Sequence, residues 1–229
     1  MKRLIIIPAY NEEANIERTV YNIQKYAPEF DYIVINDCST DRTGRICDEN
    51  HFPVIHLPVN LGIGGAVQTG YLYGVYNGYD EAVQIDGDGQ HDPAYLLKMA
   101  EYMEESKADM VIGSRFIEKK GFQSSGIRRI GIRYFTALIR ILTGKKITDP
   151  TSGLRMVNRE VMSLFADNYP KDYPEPETVV AILRRDKKIE ELPVVMKERM
   201  GGVSSISPKK SIYYMIKVSL AILVEKMRK

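Results

Sequence analysis

Two aspartates stand two residues apart directly after a short apolar run. Asp86 and Asp88 belong to the sequence Ile85-Asp86-Gly87-Asp88-Gly89-Gln90, between a predicted buried strand and a predicted helix. Carboxylates at this spacing can converge on one hard divalent cation, Mg²⁺ or Mn²⁺, which takes oxygen ligands and keeps positions for a substrate's phosphates. Because Asp and Gly are also the usual residues of turns, a plain turn is the alternative. A calcium EF-hand is excluded, since that motif's later glycine and glutamate are missing.

Polar side chains also follow the first two predicted strands. Tyr10 comes after the first strand in Pro8-Ala9-Tyr10-Asn11-Glu12, and Asp37 comes after the second in Asn36-Asp37-Cys38-Ser39. Ligands of open α/β sheets bind at the carboxyl ends of the strands, so we expect these residues beside the two aspartates. Tyr10 could stack on a base and Asp37 could accept a hydrogen bond from a base N–H. Ser39 is more simply interpreted as the N-cap of the next helix.

A glycine-rich segment, Asn60-Leu61-Gly62-Ile63-Gly64-Gly65, opens the third predicted helix. Gly62 and Gly64 have the spacing of the first two glycines of a dinucleotide-binding fingerprint. Val67 stands where the third glycine belongs, and the expected acidic residue does not follow. The chain also lacks a Walker-type Gly-Lys-Ser/Thr sequence. Neither nucleotide-binding motif is therefore predicted.

The segment 115–146 concentrates positive charge. Nine basic residues and one acid, Glu118, give it a net charge of +8 in a chain whose total is +2. Apolar residues lie between the charges, a pattern typical of helices that bind a membrane surface. The alternatives are a helix packed on the sheet with a solvated basic face, and nucleic-acid binding, for which the segment matches no module. The basic residues are Arg115, Lys119, Lys120, Arg128, Arg129, Arg133, Arg140, Lys145 and Lys146.

The elements that must position these residues alternate between β-rich and helix-period runs. This alternation is typical of an α/β fold with parallel strands. In the first half we predict strands at 4–7, 32–35, 54–57, 82–85 and 110–112. The helices between them are predicted from about Glu12 to Tyr26, from the Ser39-Thr40-Asp41 cap through Cys47, from the glycine-rich turn through about Tyr76, and from Pro93 through Met103. In the second half we predict strands at 154–157 and 189–196, helices at 127–142, 159–165, 175–185 and 212–226, and a polar loop at 201–208.

Composition places the chain among ordinary globular proteins. It has 229 residues, of which 44% are hydrophobic and 27% charged, enough for a core without disulfides or a structural metal. Two cysteines, Cys38 and Cys47, exclude a disulfide scaffold and a cysteine-built zinc site and fit a reducing compartment. The N-terminal apolar run is shorter than a signal-peptide core, and the stretch 212–224 is too short for a bilayer of about 30 Å. We expect a protein that is soluble or lies on a membrane surface.

Seven sequence motifs, taken together, resemble the family 2 inverting glycosyltransferases, in the branch of dolichol-phosphate mannosyltransferase and the bacterial polyprenyl-phosphate sugar transferases. They occur in the family's order over residues 3–207, about nine-tenths of the chain. The motifs are IIIPAYNEEANI, VINDCSTDRTG, NLGIGGAVQTGY, QIDGDGQHDP, DMVIGSRF, ITDPTSGLRMVNREV and ERMGGVSSI. The resemblance implies the A-type glycosyltransferase fold, a single globular domain with a Rossmann-like, mostly parallel sheet and flanking helices.

The resemblance also assigns roles to individual residues. The donor's nucleoside would be held by Pro8, Tyr10, Glu12 and Asp37. The metal and diphosphate would be held by Asp86, Asp88 and Gln90. The acceptor phosphate would be held by Arg115 with Arg128, Arg129 or Arg133. Asp88, Arg115 and Asp149 are the expected catalytic residues, with Asp149 as a base or orienting group. A loop that closes over the substrates would contribute Arg199, Ser204 and Ser205.

The implied reaction is a metal-dependent, inverting sugar transfer from a nucleotide-sugar to a polyprenyl phosphate, for cell-wall or surface polysaccharide synthesis. UDP-glucose and UDP-N-acetylglucosamine are the favoured donors, and GDP-mannose stays open. The expected cofactor is Mg²⁺ or Mn²⁺. The expected organisation is a glycosyltransferase domain at 1–207, with a donor half at 1–113 and an acceptor half at 114–207, followed by an amphipathic helix at 208–229.

The expected location is the cytoplasmic face of the plasma membrane, as a peripheral protein. A small membrane-protein partner or a second copy of the chain is a further option, and nucleic acid is not expected as a partner. One alternative function is transfer to a sugar hydroxyl, which needs a general base, whereas a phosphate oxygen is already anionic. Another is a non-catalytic membrane-surface adaptor, against which the intact Asp86 and Asp88 argue.

Overall fold

The computed structural model describes residues 1–118, 120–121, 126–197 and 208–227. Within these ranges, seven strands form one sheet in the order β3-β2-β1-β4-β6-β5-β7. The strands are β1 (Arg3–Ala9), β2 (Asp31–Asn36), β3 (Val54–His56), β4 (Glu81–Gln84), β5 (Met110–Ser114), β6 (Arg155–Asn158) and β7 (Ile189–Pro193). The helices are α1 (Ile16–Tyr26), α2 (Thr43–Glu49), α3 (Gly62–Tyr76), α4 (Leu96–Ser106), α5 (Gly126–Thr143), α6 (Arg159–Asp167), α7 (Pro174–Leu183) and α8 (Pro208–Met227).

The sheet is mostly parallel, as predicted. Strands β3, β2, β1 and β4 pair in parallel, and β7 pairs in parallel with β5. Strand β6 runs antiparallel to both of its neighbours, β4 and β5. The six other strands therefore share one direction. The carboxyl ends of β1, β2, β4 and β5 meet at one edge of the sheet, where the predicted site residues lie.

Helices cover both faces of the sheet, and each face has its own apolar core. One core joins the sheet to α1, α2 and α4 through residues such as Ile23, Cys47 and Met99. The other joins it to α3 and α5–α8 through residues such as Val67 and Phe135. Burial on both faces explains why the central strands read as continuous apolar runs. Of the helices in the described ranges, none is both long enough and apolar enough to cross a membrane.

Several element boundaries differ from the sequence prediction. Helix α1 begins at Ile16 rather than near residue 12, because the chain first makes a turn in which Glu12 O accepts from the N–H of Asn15. The helix predicted to start at Pro93 is divided into a 3₁₀ turn, Pro93–Tyr95, and α4. The last strand ends at Pro193 instead of residue 196. These differences fall at element ends, where sequence signals are weakest.

The glycine-rich start of α3 has a packing role. A Cβ at Gly64 would lie 2.0 Å from the main-chain oxygen of Pro170, and Gly64 N–H donates to Lys171 O at 3.1 Å. A larger residue cannot fit without backbone movement. The glycines therefore let the start of α3 approach the 170–171 loop closely, which agrees with the rejection of a dinucleotide motif.

Candidate active site

The ends of β1 and β2 carry the residues predicted to hold a nucleoside. Pro8 is buried in β1, and Tyr10, directly beyond the strand, is 49% exposed. Asp37 is buried, and its Oδ1 accepts from the N–H of Leu61 at 2.7 Å. Its main-chain oxygen accepts from Asn60 Nδ2 at 3.0 Å. The structure thus brings Tyr10 and Asp37 to the same edge and fixes Asp37 against the start of α3.

The loops after β1 and β2 are cross-linked by side chains. Ser39 Oγ accepts from the N–H of Asn11 at 3.0 Å, and Asn11 Oδ1 accepts from the N–H of Thr40 at 2.8 Å. The N–H of Glu12 donates to Thr43 Oγ1 at 2.8 Å. The N-cap interpretation of Ser39 was wrong, because α2 begins four residues later at Thr43 and the serine hydroxyl bonds to the other loop instead.

Asp86 is held at its carboxylate by two neighbours and at its main chain by a third. Gln84, the last residue of β4, donates from Nε2 to Asp86 Oδ1 at 2.9 Å. The N–H of Asp86 donates to His91 Nδ1 at 3.3 Å. Gly153 lies so close that a Cβ there would be 2.8 Å from Asp86 Oδ2. This carboxylate therefore has little freedom to reorient.

Asp88 and Gln90 lie in a tight turn beside Asp86. Asp88 Oδ1 accepts from the N–H of Gln90 at 3.0 Å, and Gly89 adopts a φ of 73°. Gln90 is tied to the chain beyond β7: its Nε2 donates to Lys197 O at 3.2 Å, and its main-chain oxygen accepts from the N–H of Lys197 at 2.9 Å. The amide nitrogen of Gln90 is thus engaged, and its Oε1 is the atom that could reach a metal.

Arg115 and Asp149 form a buried ion pair. Arg115 Nε donates to Asp149 Oδ2 at 2.6 Å, and Arg115 Nη2 donates to Asp149 Oδ1 at 2.7 Å. The side chain of Asp149 is fully buried. Burial by itself lowers the pKa of Arg115, but the hydrogen bonds and charge of Asp149 outweigh it and raise that pKa. Arg115 therefore stays charged, and Asp149 has both oxygens engaged by the guanidinium.

The remaining donor of Arg115 is weakly satisfied. Nη2 also reaches Thr151 Oγ1 at 3.0 Å, whereas Nη1 faces the sulfur of Met196 at 3.8 Å. A thioether is a weak acceptor. Nη1 therefore keeps donor capacity for a stronger, anionic acceptor.

Two side chains, the half-buried Glu191 and the fully buried Arg155, hold the loop between α5 and β6. Glu191 accepts from the N–H groups of Thr148 and Asp149 at 2.7 and 2.9 Å. Arg155 is fully buried and donates to the main-chain oxygens of Pro150, Ser152 and Glu175, each at 2.7 Å. The loop that carries Asp149 and Gly153 is thereby fixed relative to β7 and to the start of α7.

A groove of about 740 Å³ opens along α5 beside the ion pair. Phe116 and Thr148, which line it, are the chain neighbours of Arg115 and Asp149. Four cationic side chains line the groove, and none of them pairs with a carboxylate in the ranges that the structure describes. The cationic residues are Arg129, Arg133, Arg140 and Lys146; apolar lining residues are Phe116, Ile132, Ala137 and Ile141. The groove therefore combines positive charge with an apolar wall.

Some predicted site residues lie outside the part of the chain that the structure describes. Arg199, Ser204 and Ser205 fall in 198–207, and the side chain of Arg128 is likewise outside the described residues. The structure brings Arg129 and Arg133 into the groove, but it pairs Arg115 with Asp149 beside the groove rather than placing it in the lining.

The side chains that support the site were not predicted from the sequence. Gln84, His91, Arg155 and Glu191 each bond to a loop or carboxylate named above. A polar residue at the end of an apolar strand was the available signal for Gln84. Glu175, in the first turn of α7, was also missed: burial raises its pKa, the charge of Arg155 lowers it in part, and the charge of Asp86 raises it further.

The carboxylates fit a divalent cation that arrives with a nucleotide. No group of three or more His, Cys, Asp or Glu side chains is arranged as a metal cage within the described part of the chain. Mg²⁺ is commonly bound by one or two carboxylates together with substrate phosphates and water. Asp86, with one oxygen anchored by an amide, and Asp88, in the adjoining turn, supply such a donor set.

A mostly parallel sheet with paired carboxylates and a cationic groove beside its carboxyl edge is an arrangement typical of α/β enzymes, which bind ligands at the carboxyl ends of their strands. The model of Glycosyl transferase family 2 matches residues 4–165, and the chain belongs to this family. It is a glycosyltransferase, as the sequence motifs indicated.

Two relatives are similar over most of their length. The chain is 32% identical to "Undecaprenyl-phosphate mannosyltransferase" of Micrococcus luteus over 216 residues, which cover 90% of this chain and 88% of that protein. It is 29% identical to "Polyprenol monophosphomannose synthase" of Mycolicibacterium smegmatis over 228 residues, which cover 95% and 86%. Both belong to the branch that the sequence resemblance indicated.

A solved structure shares the fold. Glucosyl-3-phosphoglycerate synthase from Mycobacterium tuberculosis, in complex with Mn²⁺, uridine diphosphate and phosphoglyceric acid, superposes with a TM-score of 0.74. The match covers 100% of this chain and 79% of that chain at 20% identity. The likeness confirms the predicted A-type glycosyltransferase fold.

Proposed function

We propose that this protein transfers a sugar from a nucleotide-sugar to a polyprenyl phosphate, with inversion at the anomeric carbon. The observation that carries the proposal is the groove along α5. An acceptor with an anionic head and a hydrocarbon chain needs both cations and an apolar wall, and the groove supplies them side by side. Both relatives reported above bear names of polyprenyl-phosphate transferases.

The hydrogen bonds that Asp149 accepts from Arg115 favour a phosphate acceptor over a hydroxyl acceptor. A hydroxyl needs a general base within hydrogen-bond reach, and both oxygens of Asp149 are bound by Arg115. Use of a hydroxyl acceptor would therefore require a carboxylate other than Asp149 as the base. An anionic phosphate needs no base and requires cations to position it.

In the proposed reaction, a phosphate oxygen of the acceptor attacks the anomeric carbon as the bond from that carbon to the nucleoside diphosphate breaks. The electron pair of the broken bond leaves on the diphosphate. Asp86 and Asp88 would hold Mg²⁺ or Mn²⁺, which supplies Lewis-acid stabilisation of the departing diphosphate. Arg115 and the groove cations hold the acceptor phosphate, and they offset its repulsion from the donor's phosphates.

The identity of the donor sugar is also part of this proposal. The sequence analysis favoured UDP-glucose or UDP-N-acetylglucosamine, whereas both reported relatives are named for mannose. GDP-mannose is therefore the first donor to test, with the two UDP-sugars beside it. One incubation with each labelled donor, Mg²⁺ or Mn²⁺, and vesicles that contain undecaprenyl phosphate or undecaprenol separates donors and acceptor chemistry together.

Loss of one groove cation is expected to weaken lipid-phosphate transfer. Arg133→Ala should lower kcat/KM for undecaprenyl phosphate by about tenfold or more, because a charged hydrogen bond contributes about 1.5–3 kcal/mol. Arg45→Ala, which removes an exposed arginine paired with Glu49 on α2, is the matched control. Equal activity of the two variants would show that the groove does not bind the acceptor.

We further propose that the exposed sides of α5 and α8 contact the membrane. Ile130, Tyr134 and Ile141 form an exposed stripe on α5, and each follows one of the arginines that line the groove. The adjoining α8 exposes Ile216, Leu220, Leu223 and Val224. The two helices touch where the hydroxyls of Tyr134 and Ser219 lie 3.0 Å apart. An apolar surface beside cations is complementary to an anionic lipid interface.

Binding to anionic vesicles should therefore fall as salt rises, since each basic residue at such a surface contributes about 1 kcal/mol that salt screens. Leu220→Glu should reduce sedimentation with the vesicles. Leu72→Glu, at an equally exposed leucine on α3, should not reduce it. If both variants sediment like the unaltered protein, the α5–α8 surface is not the membrane contact.

A further inference from the structure

Two buried polar side chains each make one side-chain hydrogen bond, and both make it to Asp86. Gln84 is 1% exposed; its Nε2 donates to Asp86 Oδ1 at 2.9 Å, and its Oε1 has no partner in the described part of the chain. His91 is 6% exposed; its Nδ1 accepts from the N–H of Asp86 at 3.3 Å, and its Nε2 likewise has no partner there. Each side chain thus has one polar atom without a partner in the protein interior.

Packing alone does not explain an amide at position 84. A buried polar atom without a partner costs about 1–3 kcal/mol. The neighbouring positions Ala82, Val83 and Ile85 are apolar and buried, so an apolar side chain would fill position 84 without that cost. The amide orientation follows from the bond, because the reverse orientation would place Oε1 against a carboxylate oxygen. The amide at position 84 is therefore explained by its hydrogen bond to Asp86.

The third restraint on Asp86 comes from a glycine. A Cβ at Gly153 would stand 2.8 Å from Asp86 Oδ2 and 3.2 Å from Oδ1, so the backbone of this loop lies close against the carboxylate. Arg155 fixes the same loop through the main-chain oxygens of Pro150 and Ser152, each at 2.7 Å. The amide and the glycine therefore restrain the carboxylate, and the imidazole restrains the main chain that carries it.

We propose that Gln84 and His91 are positioning residues that fix Asp86 before the cation and nucleotide bind, Gln84 through the carboxylate and His91 through the main chain. This inference rests on the metal role of Asp86 in the proposed function. A fixed ligand does not lose further freedom when the cation arrives, so the support increases cation affinity. Removal of a side chain that orients a metal ligand typically lowers metal affinity by about 10–100-fold.

The test measures Mn²⁺ binding to the full chain by electron paramagnetic resonance, once in the presence of UDP and once in the presence of GDP. Gln84→Met keeps the volume of the side chain and loses the bond, and it should bind Mn²⁺ at least about tenfold more weakly. Gln68→Met is the matched control, since Gln68 donates one comparable bond to Ala166 O at 2.9 Å, away from Asp86. It should bind Mn²⁺ like the unaltered protein.

A second pair of variants separates positioning from structural support. The Oδ1 of asparagine can occupy about the position of the imidazole Nδ1, so His91→Asn keeps an acceptor for the N–H of Asp86, and His91→Leu does not. We expect His91→Asn to retain Mn²⁺ affinity and His91→Leu to lose it, whatever the two thermal unfolding midpoints are. This pair also decides the question if Gln84→Met does not fold.

Each outcome has one meaning. Weaker Mn²⁺ binding by Gln84→Met or His91→Leu, with His91→Asn near the unaltered value, supports the proposal. Equal binding by all variants overturns the positioning role and leaves the proposed function intact. If the unaltered protein binds no Mn²⁺ with either nucleotide, the metal role in the proposed function fails, and the inference fails with it.

Discussion

Asp88→Asn is expected to lower sugar transfer by about a thousandfold or more, because a metal contributes several kcal/mol of charge stabilisation and each 1.36 kcal/mol is a factor of ten. The substituted side chain keeps an oxygen that can accept from the N–H of Gln90, so the turn is retained. What is lost is the negative charge that would hold the cation on the diphosphate. Initial rates at saturating Mn²⁺, together with thermal unfolding, measure the effect.

The control for this prediction lies in the same loop. Asp92 caps the 3₁₀ turn by accepting from the N–H of Ala94 at 3.2 Å and pairs with Lys197 at 2.9 Å. Asparagine is an equally good cap, so Asp92→Asn changes one carboxylate of the motif without a predicted effect on the cation. We expect it to remain active. Near-normal transfer by Asp88→Asn, or by the unaltered protein in excess chelator, would contradict the metal role.

The parallel part of the fold was predictable because its signal is local. Each buried strand is an apolar run between turn residues, and the parallel order places the ends of β1, β2 and β4 at one edge. Strand β6 shows the limit of this reasoning. Its residues Arg155–Asn158 were predicted as a strand like the others, yet the strand is inserted antiparallel between β4 and β5. Strand direction and insertion depend on the path of the connecting chain, which the pattern of one strand does not encode.

The supporting side chains of the site could not be predicted for a related reason. Arginine is usually exposed at protein surfaces. Arg155 is nevertheless fully buried and bonded to main-chain oxygens from two separate segments. Asp149 and Arg115 were each identified as candidates, but their pairing joins positions 34 residues apart. A sequence motif indicates which residue types the chemistry requires. Which of these charged side chains form ion pairs with one another depends on tertiary contacts.

The Arg115–Asp149 pair provides the second large effect. Arg115→Ala is expected to reduce transfer to undecaprenyl phosphate by about a hundredfold, since one lost charged contact costs up to about 3 kcal/mol. Hydrolysis of the donor by water should fall much less, because water needs no cation to hold it. The same variant leaves Asp149 buried without its counter-charge, a change that typically costs about 3–5 kcal/mol of stability. Transfer, donor hydrolysis and unfolding free energy are therefore measured together.

A double variant separates the two effects. Arg115→Gln with Asp149→Asn removes both charges and keeps side chains that can hydrogen-bond to one another, so we expect it to recover most of the stability that Arg115→Ala loses. It should not recover transfer, because no cation then faces the acceptor phosphate. Asp149→Asn alone should also lose transfer, because the two bonds at 2.6 and 2.7 Å that hold the Arg115 guanidinium in position are no longer both made. If Arg115→Ala keeps lipid transfer while Asp149→Asn loses it, Asp149 acts directly on the acceptor. The hydroxyl-acceptor function would then replace the phosphate-acceptor function proposed above.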